Sequence, residues 1–255
     1  FFIISFSIIK SLLILLFDRP SLVIGMGGYS SFPICFAAFI LRIKFIIYEN
    51  NLIIGKSNKY LLPFAKKIFV SYNELEGISA KYKDKVIEVG NIIREEIINS
   101  NISNHSSTSL DSLNILVLGG SQAAKIFADE FPLIFKKLRD SKIKIKIYQQ
   151  CHNSQNDRLS QFYKKAQMDF EIFNFTSNII DYYSKSNLVI TRSGASVLGE
   201  LVNFKIPFIS IPIQTAADNH QNKNAQLYAK KGYGSNIEKK DIKNKLYDLI
   251  VSTFN

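Results

Sequence analysis

A glycine turn in the second half of the chain has the composition of a phosphate-binding loop. Gly119, Gly120 and Ser121 follow the apolar residues 115–118 and precede a helical pattern. Glycines there allow a tight turn and let backbone N–H groups and the helix N-terminus approach a phosphate, while Ser121 can donate a hydrogen bond or cap the helix. A similar turn, residues 25–29, follows the apolar residues 22–24. The pair predicts two phosphate-bearing or anionic ligands, as a transferase between two diphosphate compounds needs, with two plain strand-to-helix turns as the alternative.

Residues 191–200 form a third segment suited to a ligand. The segment follows a predicted strand, and its small residues allow a ligand to approach the start of the next helix. Glu200 lies about one and a half turns into that helix, where its carboxylate could accept hydrogen bonds from a ribose diol. The alternative is a glutamate on a solvated helix surface.

The composition describes a globular protein and excludes several classes. The 255 residues are 47% hydrophobic and suffice for one large or two modest domains. The net charge of +11 suits an acidic membrane or phosphate-bearing ligands, with low-GC coding as the alternative source of lysine. Nucleic acid is disfavoured because no basic block with interleaved aromatics occurs. Cys35, Cys151 and three scattered histidines lack metal-ligand or disulfide spacing, so a reducing cytoplasmic compartment fits best.

The first 17 residues are strongly apolar. They fall short of the roughly 20 residues of a membrane span, and they have neither a basic n-region nor a cleavage site. We expect a buried or membrane-facing helix of a larger domain, with a membrane anchor as the alternative. The absence of an initial Met and the helical pattern that ends at Asn255 predict a chain cut at both ends.

Short apolar runs alternate with helical patterns, which predicts an α/β fold with parallel sheets wound with helices. In the first part we expect strands at residues 21–25, 44–48, 67–71 and 85–89, with helices at 33–41 and 55–64. Residues 99–113 are polar and rich in Ser and Asn, as in a linker. After them we expect strands at 114–118, 143–149, 170–173, 188–191 and 207–211, with helices at 123–139, 155–166, 178–184, 195–202 and 219–230. Two such sheets place a ligand cleft between them, at the carboxyl ends of their strands.

Six short motifs occur together in one order. They are Gly25-Met26-Gly27-Gly28-Tyr29, Tyr48-Glu49-Asn50-Asn51, Gly90-Asn91-Ile92-Ile93-Arg94, Gly119-Gly120-Ser121-Gln122, Arg192-Ser193-Gly194-Ala195, and Asp218-Asn219-His220-Gln221 with Asn224-Ala225. Their order and spacing resemble the MurG family of glycosyltransferases over residues 20–234. The resemblance implies a GT-B architecture of two Rossmann-like domains that face a cleft. It implies an incomplete acceptor and membrane-side domain at residues 1–93 and a UDP-GlcNAc-binding domain at residues 94–255.

The resemblance also implies a reaction and assigns roles to residues. The reaction is inverting transfer of GlcNAc from UDP-GlcNAc to undecaprenyl-pyrophosphoryl-MurNAc-pentapeptide, known as lipid I. Ser121 resembles a ligand of the donor diphosphate, and Arg94 resembles the family's donor-site arginine. Asn51 is expected to face the sugar, and Thr176 to present its backbone to uracil. Further donor contacts are expected from Ala195, Ser196, Val197, Leu198, Gly199, Glu200 and Gln221, and acceptor contacts from Gly27, Gly28 and Tyr29.

Several positions depart from the family's pattern. Tyr48 and Asn50 stand where His and Gln are usual, Ala123 replaces a Gly, and Ile92 stands where Pro is common. The family's Gly-Gly-Thr-Gly-Gly-His loop, which carries the favoured general base, has no counterpart in this sequence. We therefore expect this chain to bind the donor but to transfer sugar slowly.

Glu49 is the only carboxylate in a matched motif on the acceptor side. As an exposed acid it would be a weak base, and we expect it to position Asn51 instead. The sequence has no Asp-x-Asp motif, so neither a protein-bound metal nor another cofactor is expected. The leaving diphosphate would be stabilised by backbone N–H groups, a helix dipole and Arg94.

The expected partners are UDP-GlcNAc, lipid I and the anionic cytoplasmic surface of the bacterial inner membrane, to which the protein would bind peripherally. The basic residues near the apolar start that favour this surface are Lys10, Arg42, Lys44, Lys56 and Lys59. Two alternatives stay open. One is another GT-B enzyme acting on a UDP-sugar, either a transferase or a UDP-GlcNAc epimerase, and the other is a non-catalytic subunit that binds a UDP-sugar.

Overall fold

The computed structural model describes residues 2–100, 112–212 and 220–254, and within these ranges the side chains of Phe2 and of residues 121–124 lie outside the description. The chain divides into two compact units. We call Phe1–Ile92 the N-terminal unit and Ile93–Asn255 the C-terminal unit. Each unit is a parallel sheet with its own hydrophobic core.

The N-terminal unit contains a four-stranded parallel sheet in the order β1-β2-β3-β4. Its elements are α1 Phe2–Asp18, β1 Val23–Gly25, α2 Gly28–Ile40, β2 Phe45–Glu49, α3 Lys56–Leu61, β3 Lys67–Val70, a 3₁₀ turn Ala80–Lys85 and β4 Val86–Glu88. Alternate residues of β2 and β3 point into the core, where Phe45, Ile47, Ile68 and Val70 are buried. This alternation fixes which side chains of each strand reach the core.

The C-terminal unit contains a six-stranded parallel sheet in the order β10-β9-β8-β5-β6-β7. Its elements are α4 Glu95–Asn99, β5 Leu113–Leu118, α5 Gly120–Asp140, β6 Ile145–Gln150, α6 Asn156–Lys165, β7 Asp169–Phe173, α7 Ile179–Lys185, β8 Leu188–Thr191, α8 Ala195–Asn203, β9 Phe208–Ser210, α9 His220–Lys230, β10 Ser235–Asn236 and α10 Ile242–Phe254. The chain lays β6 and β7 on one side of β5 and then β8, β9 and β10 on the other. Strand order therefore reverses between β5 and β8, and such a switch point leaves a crevice at the carboxyl ends of the strands.

The burial pattern of the central strand β5 indicates that this sheet is covered on both faces. Its last four residues are buried in succession, as in a strand with helices on each side. Helix α5 supplies part of that cover, because Phe127, Phe131 and Phe135 recur at a spacing of four and are all fully buried.

The predicted α/β fold is confirmed, and most differences concern the bounds of elements. Helix α2 begins at Gly28, earlier than predicted, because the glycine turn leads directly into it and Pro33 lies inside the helix. Helix α3 ends at Leu61, three residues earlier than predicted, although the backbone of Leu62 stays near helical values before Pro63. Leu113 was placed in the linker but is the buried first residue of β5.

Two elements of the C-terminal unit, α4 and β10, were not predicted, and α10 was recognised only as a helical pattern before Asn255, without bounds. The first two are only 5 and 2 residues long, too short for a periodic pattern to show. Residues 101–111 of the predicted linker lie outside the described residues, as do the motif residues Asp218 and Asn219.

Candidate functional site

A pocket of about 360 Å³ opens at the carboxyl ends of the central strands of the C-terminal unit. It lies at the switch point of the sheet, because the segments that follow β5, β6, β7 and β8 all line it. Five residues expected at a donor site are among its lining, namely Arg94, Thr176, Val197, Glu200 and Gln221. The fold thus brings together positions that are spread over 128 residues of sequence.

The glycine turn forms the edge of this pocket next to β5. Gly119 and Gly120 both line the pocket, and Gly120 has φ +59°, a left-handed conformation that glycine adopts without strain. The N-cap residue of α5 is Gly119, which has no side chain to cap the helix. The backbone N–H groups and the positive end of the helix dipole are the features that a phosphate would contact here. Ser121 is the second residue of α5, and its side chain lies outside the description.

Gln150 joins the glycine turn to the loop after β7, a role that the sequence analysis missed. Its Oε1 accepts a hydrogen bond from the Gly120 backbone N–H at 3.1 Å, and its Nε2 donates to the Asn174 carbonyl at 3.2 Å. Asn174 is itself held in place, because its side-chain Nδ2 donates to the Cys151 carbonyl at 2.9 Å. The available signal was a glutamine at the end of an apolar strand, where ligand-binding loops begin.

Glu200 is buried, with 7% of its surface exposed, so the alternative of a solvated glutamate is wrong. Its helix α8 packs Leu198 and Leu201 into the core, and Glu200 lies between them in sequence. A buried carboxylate needs charged or hydrogen-bonding partners. Arg94 provides two of them, because its Nε donates to Oε1 and its Nη2 to Oε2, each at 3.0 Å.

Tyr183 completes the surroundings of this carboxylate and was also missed from the sequence. Its hydroxyl donates to Oε2 of Glu200 at 3.0 Å. Burial, together with the negative charge of Glu200, raises the pKa of Tyr183, so the phenol stays protonated and remains a donor. The hydrogen bond to Glu200 likewise raises the pKa of the Arg94 guanidinium. The available signal was the position of Tyr183 on the buried face of its helix. A buried phenol requires a hydrogen-bond partner, so a polar group was to be expected beside it.

The remaining predicted residues of α8 do not all reach the pocket. Val197 and Glu200 line it, together with Gly194 just before the helix. Ala195, Leu198 and Gly199 are buried in the packing of α8, whereas Ser196 is exposed. Helical geometry explains the division, because neighbouring positions point in directions about 100° apart.

The loop after β7 also lines the pocket. Thr176 lies there, and its Oγ1 accepts a hydrogen bond from the Asn178 backbone N–H at 3.0 Å. Phe175 beside it also lines the pocket, although 84% of this apolar side chain is exposed. Gln221 contributes a buried Oε1 that has no hydrogen-bond partner within the described ranges. These groups offer an aromatic face and an available acceptor to a ligand.

Asn51 and Glu49 lie in the N-terminal unit, at the end of β2. Glu49 is 4% exposed, so the expectation of an exposed acid is wrong. Its Oε1 accepts from the backbone and side-chain nitrogens of Asn51, both at 3.1 Å. Its Oε2 accepts from the Gly55 N–H at 2.8 Å and from Asn58 Nδ2 at 2.9 Å. The carboxylate therefore holds Asn51 in place, as expected, and also secures the start of α3.

Gly27 lies in the turn between β1 and α2, and Gly28 and Tyr29 are the first two residues of α2. The two glycines have φ +80° and +76°, which explains why glycine stands at both positions. Ser31 closes the turn by donating from Oγ to the Gly27 carbonyl at 2.7 Å. Tyr29 is 80% exposed at the start of α2. The turn leaves this phenol available to a ligand.

Among the residues that the structure describes, no group of three or more His, Cys, Asp or Glu side chains is arranged to hold a metal ion. In the same part of the chain, no helix has the length and apolarity needed to cross a bilayer.

Two family models match the chain. The glycosyltransferase family 28 N-terminal domain matches residues 1–70, and the glycosyltransferase family 28 C-terminal domain matches residues 114–254. A relative from Pelagibacter ubique, described as a UDP-N-acetylglucosamine--N-acetylmuramyl-(pentapeptide) pyrophosphoryl-undecaprenol N-acetylglucosamine transferase, is 36% identical over 250 residues. The match covers 96% of this chain and 69% of the relative.

Solved structures show the same fold at lower identity. The crystal structure of MurG from Acinetobacter baumannii matches with a TM-score of 0.79 and 24% identity, over 100% of this chain and 71% of the other. The UDP co-structure of MnaA from S. aureus matches with a TM-score of 0.69 and 18% identity, over 99% and 73%. Both units therefore have the GT-B type of Rossmann-like fold.

Proposed function

The chain belongs to the MurG family of glycosyltransferases, and on this premise we propose how its residues serve the transfer of GlcNAc from UDP-GlcNAc to lipid I. The product of this reaction is lipid II, an intermediate of peptidoglycan biosynthesis. One structural observation carries the assignment of the donor site: five residues expected there converge on one pocket at the switch point of the C-terminal sheet.

The donor is proposed to lie across this pocket, from the loop after β7 to the glycine turn. Uracil would contact the backbone near Thr176, beside the exposed ring of Phe175. The ribose hydroxyls would donate to Glu200. The diphosphate would meet the N-terminus of α5 at Gly119 and Gly120 and the guanidinium of Arg94, and GlcNAc would lie toward Gln221.

The chemical step is an inverting displacement at the anomeric carbon of GlcNAc. The muramyl 4-hydroxyl of lipid I attacks this carbon, its proton passes to a general base, and the bond to the β-phosphate oxygen breaks so that UDP leaves with the electron pair. The helix dipole of α5 and the positive charge of Arg94 stabilise the negative charge that develops on the diphosphate. Glu49 is a poor candidate for the base, because its two oxygens already accept four hydrogen bonds.

The N-terminal region, residues 1–93, is proposed to serve the acceptor and the membrane, and residues 94–255 the donor. The turn at Gly27, Gly28 and the exposed Tyr29 would contact the acceptor. Asn51, held by Glu49, would face the sugar.

We also propose that the protein docks peripherally on the anionic cytoplasmic face of the inner membrane, where lipid I lies. Helix α1 exposes a row of large apolar side chains, among them Ile3, Phe6, Ile9, Leu13 and Phe17. Next to its C-terminal end, Arg19, Arg42 and Lys44 line a groove of about 470 Å³. Basic residues near an anionic surface contribute about 1 kcal/mol each, and apolar side chains can insert at the interface.

The test of the donor site combines binding and turnover. UDP binding is measured by calorimetry, and turnover by product formation from labelled UDP-GlcNAc and a soluble lipid I analogue. Glu200→Ala should weaken UDP binding by about 1–3 kcal/mol, because a hydrogen bond between the ribose and a carboxylate is lost. Glu88→Ala, an exposed glutamate of the N-terminal unit, is the matched control. Unchanged UDP affinity in Glu200→Ala would remove Glu200 from the site.

The alternatives predict different products. A UDP-GlcNAc epimerase would convert UDP-GlcNAc without an acceptor. A different transferase would transfer the sugar to the hydroxyl group of an acceptor other than lipid I. A binding subunit would bind UDP-GlcNAc but consume none in the presence of lipid I. Consumption of UDP-GlcNAc that depends on lipid I supports the proposed reaction.

Membrane docking is tested by sedimentation with vesicles that contain increasing fractions of anionic lipid, at low and high salt. Binding that increases with anionic lipid and falls with salt supports electrostatic docking through the basic groove. Binding that is insensitive to both would contradict that contribution and leave the apolar face of α1 as the contact.

A further inference from the structure

The carboxylate of Glu200 is already occupied by Arg94 in this structure. The guanidinium spans both oxygens, with Nε on Oε1 and Nη2 on Oε2, each at 3.0 Å. Arg94 belongs to the segment before α4 and Glu200 to α8, so the pair joins residues 106 positions apart. The group expected to hold a ribose is thus held by a cation from another element of the same unit.

The carboxylate of Glu200 has too few acceptor positions for all of its present donors and a ribose diol that uses both oxygens. A carboxylate offers two oxygens with about four lone-pair positions in total. Oε2 accepts from both Arg94 and Tyr183, and Oε1 accepts from Arg94. One position therefore remains, on Oε1. A vicinal diol that donates to both oxygens must displace at least one N–H of Arg94.

The two present donors differ in how readily they can leave. Tyr183 is buried, with 1% of its surface exposed, so its hydroxyl stays in place. The Arg94 side chain is 48% exposed, and its guanidinium can rotate into water or toward another anion in the same pocket. The N-terminus of α5 at Gly119 and Gly120 lines that pocket and is where a phosphate would collect.

We propose that Arg94 is a specificity-determining residue, which blocks the ribose position of Glu200 against nucleosides and vacates it for ligands that carry a diphosphate. The inference rests on the proposed donor site and adds a selection mechanism to it. A nucleoside must displace at least one N–H of Arg94 from Glu200, and that N–H is then left with water alone. The diol of a nucleoside diphosphate donates to Glu200, and its diphosphate binds the guanidinium of Arg94. The contact between Arg94 and Glu200 is thus replaced by another charge-assisted contact.

The proposal predicts opposite effects of one substitution on two ligands. The dissociation constants of uridine, 2′-deoxyuridine and UDP are measured by NMR titration and calorimetry, on the parent chain and on Arg94→Ala. The variant should bind uridine about 3- to 10-fold more tightly, since the competitor of the diol is gone, and UDP about 10- to 100-fold more weakly, since the diphosphate loses its cation. The affinity for 2′-deoxyuridine should change less than that for uridine, because it offers Glu200 one hydroxyl instead of two.

Two further variants control for charge and for loss of structure. Arg158→Ala removes another exposed arginine of the same unit, paired with Asp129 outside the pocket, and should leave all three affinities unchanged. Arg94→Lys keeps the charge but cannot span both oxygens in the same planar geometry. It should improve uridine binding while retaining more of the UDP affinity than Arg94→Ala.

The outcomes separate this inference from the function on which it rests. A parent chain that does not bind UDP would overturn the proposed donor site itself. A parent chain that binds UDP, with uridine affinity unchanged or weakened in both Arg94 variants, would overturn the competition and leave the donor site standing. Tighter uridine binding together with weaker UDP binding supports it.

Discussion

The hydroxyl of Tyr48 accepts a hydrogen bond from the backbone N–H of Ile92 at 3.2 Å, across 44 positions of sequence. Both residues depart from the MurG pattern, in which His and Pro are usual. A proline has no N–H to donate, so this one hydrogen bond to Tyr48 exists only because isoleucine stands at position 92. The same hydroxyl lies 2.7 Å from Ser71 Oγ and 3.1 Å from the Gly90 carbonyl. The two departures are therefore physically linked.

This link predicts that substitutions at the two positions are not additive. Ile92→Pro should lower the free energy of unfolding by about 1–2 kcal/mol in the parent chain, because it leaves the buried phenol without one partner. In a Tyr48→Phe background the same substitution should cost less. A double-mutant cycle from urea unfolding measures the coupling. Additive effects would show that the two departures are independent.

Gln150 should support donor binding without contacting the reacting atoms, since it holds both the glycine turn and the loop after β7. Gln150→Ala removes both hydrogen bonds and should weaken UDP binding about 10-fold, or roughly 1.4 kcal/mol. The exposed Gln226 of α9 provides the control, because Gln226→Ala removes a glutamine from the same unit outside the pocket. Calorimetry that finds equal UDP affinities in the two variants would contradict a positioning role.

Glu49 should stabilise the folded chain, because its four hydrogen bonds hold Asn51 and the start of α3. In Glu49→Gln one oxygen becomes an amide group that faces donors, which should cost about 1–3 kcal/mol of unfolding free energy. Glu88→Gln, at an exposed position in β4, should cost nothing measurable. If Glu49→Gln instead leaves stability intact and abolishes turnover, Glu49 is a catalytic residue after all.

Gly25 is required by close packing against α2. A Cβ at this position would overlap the Sγ of Cys35, which is fully buried. Gly25→Ala should therefore destabilise the chain by about 1–3 kcal/mol, and a second substitution, Cys35→Ala, should recover part of that loss by removing the sulfur. Gly194→Ala is the control, because its added Cβ would meet nothing within 4 Å and its φ is negative. Urea unfolding of the single and double variants is the measurement, and a double variant no more stable than Gly25→Ala would show that the sulfur is not the obstacle.

The elements near the site show how far local patterns reach. The apolar run of β5, the glycines after it and the helical pattern of α5 were all predicted, because each depends on residues that are neighbours in sequence. The convergence of Arg94 and Gln221 on one pocket was expected only through the order of the family motifs. The bounds of α2 and α3 were missed by a few residues, since helix ends depend on contacts as well as on propensity.

The sequence by itself determined the alternation of strands and helices, the positions of the glycine turns and the family to which the chain belongs. Periodicity, turn chemistry and motif order are properties of the linear chain, and they require no knowledge of partners. Only the tertiary structure decided that Glu49 and Glu200 are buried, that Arg94 occupies Glu200, and that Gln150 connects two loops. The physical reason is that burial and the pairing of charges depend on groups far apart in sequence, whose distance is set when the strands of the sheet take their order.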